Sequence, residues 1–129
     1  MIIDRIIMKN FKRFRHQEIR FKDGITGILG NNGTGKSTIV EAIFFALYGV
    51  QSTGISGDYI VSSFASPKEK CEVRLDFRVG GDEYTVLRTF RKGKSVQHDA
   101  TFHKAGKLRA TGVSQVETEV RRTLGMGPV

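Results

Sequence analysis

Gly30-Asn31-Asn32-Gly33-Thr34-Gly35-Lys36-Ser37 is the stretch on which the fold turns. It fits G-x-x-x-x-G-K-[ST], the pattern of a phosphate-binding P-loop. Ahead of it, Ile25-Thr26-Gly27-Ile28-Leu29 reads as a short buried strand. Behind it, Ser37 to Tyr48 reads as a helix, closed by Gly49 where a left-handed residue is needed. Strand, glycine loop and helix, in that order, are the context the pattern requires. A glycine-rich turn that carries Lys-Ser by chance would not come with both flanking elements.

The residue types follow from the ligand. A triphosphate needs several donors converging on it. Glycines let backbone N–H groups curl round phosphate with no Cβ in the way. The first helical turn adds free N–H groups and the positive end of its dipole. Lys36 is a mobile point charge for the β- and γ-phosphates, and the Ser37 hydroxyl is a ligand for Mg²⁺. Thr38 is placed to donate to the α-phosphate. Working outward, 129 residues make one domain or a piece of one. With 39% hydrophobic residues and no low-complexity run, the chain is globular. Its formal net charge of +8 points to a polyanionic partner, nucleotide or nucleic acid, or else to a basic surface that only aids solubility. The single Cys71 excludes a disulfide framework and a Cys-x-x-Cys site, and reads as a small apolar filler at a strand start. A reducing compartment follows: cytoplasm, with nucleoid or nucleus according to the cell. Met1-Ile2-Ile3 runs straight into charge, so neither a signal peptide nor a membrane span is expected.

Upstream of the loop, Ile2 to Asn10 reads as a strand and Gln17 to Phe21 as a second, with Lys22-Asp23-Gly24 as a turn. Between them, Phe11-Lys12-Arg13-Phe14-Arg15 has two readings. It is a basic loop that stacks on a base and touches phosphate, or two core phenylalanines with solvated charges between them. Downstream, the helix is apolar almost all round, which predicts burial on several sides. Gln51 to Ser66 reads as loop, with Asp58 to Val61 a short ordered piece within it. From Glu72 to Val79 apolar and charged residues alternate strictly, the mark of a half-exposed strand. Gly80-Gly81 turns the chain, Glu83 to Arg91 returns, Lys92-Gly93-Lys94 turns again, Ser95 to His103 is a third strand, and Ala105-Gly106-Lys107 is a further turn. The expectation is an antiparallel meander with one wet face. The last element is a helix: Ser114 and Glu117 have capping-box spacing, Val116, Val120 and Leu124 form a stripe, Glu117 can pair with Arg121, and Gly125 closes it.

A working P-loop ATPase also needs an aspartate at the end of a later apolar strand, to hold magnesium, and a group to orient the attacking water. Asp4 follows only Met1-Ile2-Ile3 and precedes the loop; Asp76 alternates onto the polar face. Neither qualifies. His16, His98 and His103 have no metal-ligand spacing and read as surface histidines. The chain carries half of an active site.

That incompleteness and the order of elements carry a resemblance. The first fifty residues resemble the N-terminal half of the ATPase head of SMC-like DNA double-strand-break repair proteins, of the Rad-fifty / SbcC type. The carrying residues are Met8 to Phe11, Phe21 to Gly30, Asn32 to Ile43, and Ala46-Leu47-Tyr48-Gly49. Thr38, Glu41 and Tyr48-Gly49 favour the repair branch; chromosome-condensing SMC proteins usually have Asn after Lys-Ser, then Asp-Ala, and end Leu-Gly without Tyr. The meander and final helix match the family only in order. The resemblance implies an α/β fold: a P-loop NTPase, ABC-ATPase-like head, as one N-terminal lobe over residues 1–129. Within it, 1–50 are the P-loop core, 70–110 the meander and 113–125 the last helix.

It also implies a split head, whose C-terminal half brings the magnesium-site aspartate, catalytic glutamate and Ser-Gly signature after a coiled coil with a zinc hook. Two heads sandwich two ATP molecules. The implied partners are that C-terminal half, a second head, a nuclease of the Mre-eleven / SbcD type and double-stranded DNA; no membrane is implied. Carried onto this sequence, Asn31, Asn32, Gly33, Thr34, Gly35, Lys36, Ser37 and Thr38 bind ATP, Ser37 holds Mg²⁺, Lys36 is the catalytic cation, and Lys12 and Arg13 sit where the family's nucleotide-contacting basic loop lies. Ile55-Ser56-Gly57-Asp58 is a poor match to the signature, and heptads and zinc hook are missing, so the chain looks like an N-terminal fragment of a longer protein.

Arg88, Arg91, Lys92 and Lys94 lie on or beside one hairpin turn, and Lys104, Lys107 and Arg109 cluster round the next. Either both turns touch a DNA backbone from one side of the meander, or the charges are simply solvated. Two other functional readings compete with the ATPase lobe: a complete small P-loop NTPase or nucleotide kinase, and a basic DNA-binding module independent of nucleotide. The meander, where βα units should follow, argues against the kinase.

Overall fold

The structure, a computed structural model, describes residues 1–11, 14–25, 36–49, 70–92 and 96–125. Strands β1 (Ile2–Phe11) and β2 (Phe14–Ile25) pair antiparallel, helix α1 (Lys36–Tyr48) follows, and β3 (Cys71–Val79), β4 (Asp82–Lys92), β5 (Val96–Lys104) and β6 (Lys107–Thr111) form the meander. Helix α2 (Val113–Leu124) comes last. The six strands make one sheet in the order β2-β1-β3-β4-β5-β6, and every neighbouring pair is antiparallel. β1 and β3 are neighbours although α1 lies between them in sequence, so the crossover lays the P-loop helix on the sheet.

The alternation in β3 sorts its side chains as predicted. Cys71, Val73, Leu75 and Phe77 are buried under the helices, while Glu72, Arg74, Asp76 and Arg78 take the other face. A row of rings runs across the core face: Phe77, Tyr84 and Phe102 stack with centroids 5.5 Å apart at each step. α1 packs over β1, β3 and β4, and α2 over β5, β6 and α1. Ala42, Ile43, Phe45, Ala46 and Leu47 of α1 are buried, whereas Phe44 is 49% exposed and lies against Tyr48. The thiol of Cys71 is fully enclosed, and burial, aided by the Glu72 charge, pushes it up to about 12.

Three sequence expectations are corrected. Lys22-Asp23-Gly24 form no separate turn; they lie within β2, where β1 advances from Ile3 to Arg5 while β2 runs from Arg20 to Ile25. The excess makes an irregularity in the register, and the ladder resumes at Ile25 opposite Ile3. The capping box at Ser114 is not made. The N-cap of α2 is Gly112, two residues earlier, with no side-chain cap, and the Ser114 carbonyl accepts from the Thr118 hydroxyl at 3.1 Å. Gly112 follows β6 directly, and its N–H is bonded to the Ala100 carbonyl at 2.9 Å, so the sheet fixes the helix start. The third correction concerns Arg88 and is taken up below.

Other details hold. Glu117 pairs with Arg121 at 3.0 Å, and Gly125 closes α2 in the left-handed region. Phe11 is buried with its ring 5.7 Å from that of Phe45, and Phe14 is its partner in β2, packed against the core. For the two phenylalanines the core reading therefore wins. Asn10 reaches φ 53, which asparagine tolerates better than most residues, and its amide donates to the Lys70 carbonyl at 3.0 Å.

Candidate nucleotide-binding site

α1 opens at Lys36, so Lys36, Ser37 and Thr38 occupy its first turn. Their side chains, like Lys12, Arg13 and Asn31 to Gly35, lie outside the described residues. The backbone alone gives the site its sign. The first N–H groups of a helix have no partner within it, and they sit at the positive end of the dipole. α1 carries no acidic residue in that turn to satisfy them or to repel an anion. Free amides at a helix start, in a turn whose sequence carries Lys36 and Ser37, suit an anion such as phosphate.

The far end of α1 is held by a residue from the meander. Arg88 is 3% exposed, and its Nε donates to the Ala46 carbonyl at 2.7 Å and its Nη2 to the Leu47 carbonyl at 2.9 Å. Burial lowers its pKa to about 10, an effect that the Glu117 carboxylate opposes. The sequence offers Arg88 as a DNA contact or a solvated charge; enclosed and bonded to a helix end, it is neither. Beside it lies a cavity of about 340 Å³ lined by Tyr48, His98, Asp99, Ser114 and Glu117 among others. Burial, then the charge of Arg88, lowers the pKa of His98, whose ring meets Phe90 edge-on at 4.9 Å. One signal in the sequence foretold this. In the alternation of β4, Arg88 falls in the inward row with Val86 and Phe90.

The remaining basic candidates separate. The β4–β5 turn and the β5–β6 turn stand at opposite ends of β5, so eight residue steps, about 27 Å, lie between them. They do not share one side of the meander. Arg91 is half-buried, while the side chains of Lys92 and Lys94 lie outside the described residues. Lys104 pairs with Asp82 at 3.7 Å and stands over the Tyr84 ring at 5.9 Å; Lys107 and Arg109 are exposed. Asp4 accepts a fork from Arg78, at 2.8 Å from Nη2, and Asp76 accepts from Arg5 and from the Thr85 hydroxyl, both at 2.6 Å. Burial raises the pKa of Asp76, but the Thr85 and Arg5 hydrogen bonds and the nearby guanidinium charges outweigh it, and the net shift is downward. Both carboxylates are occupied on the outer face of the sheet, away from α1.

A family profile described as an AAA domain matches residues 5–126. The chain belongs to that AAA domain family. Among curated relatives, it is 40% identical over 126 residues to a DNA double-strand break repair Rad50 ATPase of Methanocaldococcus jannaschii, covering 98% of this chain and 12% of that one. It is 38% identical over 125 residues to the protein of the same description from Thermoplasma volcanium, covering 96% of this chain and 14% of the relative. This AAA domain chain thus spans roughly an eighth of the length of those relatives. Among solved structures it matches the SMC head domain from Thermotoga maritima with TM-score 0.58 and 28% identity, over 92% of this chain and 42% of that one. It matches the recombination mediator protein RecF with TM-score 0.61 and 21% identity, over 88% and 29%, a likeness of fold alone. The resemblance to SMC-like repair ATPases therefore holds, and it reaches through the meander and α2, where the sequence offered order without motifs.

Proposed function

We propose that this chain is the ATP-binding lobe of a DNA double-strand-break repair ATPase. One observation carries the reading: β2 delivers the chain to Ile25, and α1 opens at Lys36, with the glycine pattern filling the interval. Asn31 to Thr38 bind the phosphates of ATP, Lys36 meets the terminal phosphates, Ser37 holds Mg²⁺, and Lys12 and Arg13 contact the nucleotide. The parent protein couples ATP binding and hydrolysis to head dimerisation and to clamping of DNA beside a nuclease of the Mre-eleven / SbcD type. ATP between two heads favours the engaged state because it contacts both.

The register supports one basic end of the sheet as the nucleic-acid side. Phe11 faces Phe14, Lys9 faces Glu72 and Cys71 faces Phe90. Lys70, Arg91 and Lys92 therefore gather at the same end. Phosphate contacts there would be tolerant of sequence.

This lobe binds ATP without turning it over, because Asp4 and Asp76 are engaged by arginines and the remaining groups belong to the C-terminal half. The test is phosphate release by the purified chain, then with the separately expressed C-terminal half added. Turnover only in the mixture, lost with Lys36→Ala, is expected. Steady turnover by the chain alone, also lost with Lys36→Ala, would mean a self-sufficient small NTPase.

A further inference from the structure

The core face of β4 presents Tyr84, Val86, Arg88 and Phe90, and one member breaks the apolar row. Across the ladders Arg88 faces Val73 on β3 and Ala100 on β5, neither of which can pair with a charge. A methionine would fill that position without the cost of dehydrating a cation. What the guanidinium meets is the end of α1. The last four carbonyls of a helix lack partners within it. In α1, the Gly49 N–H takes that of Phe45 at 2.8 Å, and Arg88 takes those of Ala46 and Leu47. α1 has no basic residue in its own last turn, so the cation at the negative end of its dipole comes from a distant strand. Gly49 is fitted to this arrangement twice over. It has φ +83, and a Cβ there would stand 3.2 Å from the Arg88 Nη1.

A planar fork on successive carbonyls, which sit about 100° apart round the axis, fixes a helix in both translation and rotation. α1 is 13 residues, a rod of about 18 Å. Fixing its last turn places its first. We propose that Arg88, with Gly49 making room, is a positioning residue for nucleotide binding. It locks the P-loop helix to the meander and so sets where Lys36 and Ser37 stand. The proposal rests on the nucleotide reading of Gly30 to Thr38. By reciprocity, nucleotide at the start of α1 tightens the grip at its end, so the meander senses the occupied state.

The test titrates the full chain with Mg-ATP, well below each variant's Tm, for wild type, Arg88→Lys and Arg88→Met. A purely structural role would lower Tm and leave affinity alone. Here Arg88→Met weakens binding about tenfold, and Arg88→Lys about threefold, because an ammonium replaces one arm of the fork. Arg88→Met that is folded by circular dichroism and binds like wild type overturns the proposal. If Arg88→Met fails to fold, Arg88→Lys decides it, and wild-type affinity in that variant overturns it. If wild type itself ignores Mg-ATP while folded, the nucleotide reading falls and hydrogen exchange judges the clamp. Faster exchange from Val40 to Phe44 in Arg88→Lys upholds it, and unchanged exchange overturns it.

Discussion

Two glycines end the two helices in nearly the same conformation, and comparing them isolates one contact. Gly49 has φ +83 and Gly125 has φ +71. Alanine at either must enter the left-handed region, at about 1–2 kcal/mol. At Gly125 a Cβ meets nothing within 4 Å among the described residues, so the strain is the cost there. At Gly49 the methyl would stand 3.2 Å from the Arg88 Nη1, tighter than ordinary van der Waals contact. The guanidinium must shift, and its bonds of 2.7 and 2.9 Å to buried carbonyls lengthen. Losing a charged hydrogen bond to a buried acceptor outright costs about 1.5–3 kcal/mol, and a shift of a few tenths of an ångström forfeits part of it. Gly49→Ala should therefore cost about 0.5–2 kcal/mol more than Gly125→Ala. Urea unfolding at equilibrium reads this as a drop in midpoint at constant slope. In an Arg88→Met background the excess should vanish. Equal costs for the two substitutions, or an excess that survives Arg88→Met, would refute the contact.

Asp76→Asn should destabilise the chain at pH 7 by about 1–3 kcal/mol, since charged hydrogen bonds from Thr85 and Arg5 are weakened. The Asp76 pKa is lowered on folding, so its contribution is complete above the unfolded value of about 3.9 and is lost as pH falls through the folded value. Stability curves of wild type and variant that fail to converge in acid would contradict this. Cys71, fully buried with its thiol pushed up to about 12, should resist a thiol reagent at pH 8 and react fully in urea; rapid labelling of native protein would contradict its core placement. Arg91→Ala with Lys92→Ala should lower the slope of duplex affinity against salt by about 1–2, whereas Lys107→Ala with Arg109→Ala, at the opposite end, should not. An unchanged slope in the first pair removes that end as a DNA contact.

Local pattern carried most of the fold. Strict alternation from Glu72 to Val79, the Gly80-Gly81 turn and the spacing of Val116 and Val120 each report on neighbours a few residues away, and each reads correctly. What depends on distant partners did not. The return of β2 to the ladder at Ile25, beyond Lys22-Asp23-Gly24, depends on Ile3 of β1, and the placement of β1 beside β3 on the crossover of α1. The start of α2 is set by a bond from Gly112 to β5, which no capping pattern encodes. Next to Arg91 and Lys92, Arg88 reads as one more basic residue; the alternation of β4 puts it in the inward row with Val86 and Phe90, and its bonds to the end of α1 come from tertiary packing alone. At the candidate site, the P-loop spacing gave the ligand class, and the far end of its helix came only from tertiary packing.

Whether Gly30 to Thr38 hold a magnesium-bound triphosphate is decided by a calorimetric titration of the chain with ATP. With Mg²⁺, wild type should bind at one site, and Lys36→Ala, which removes the full charge at the terminal phosphates, should bind about ten- to a hundredfold more weakly. Equal affinities in the two proteins would contradict the account.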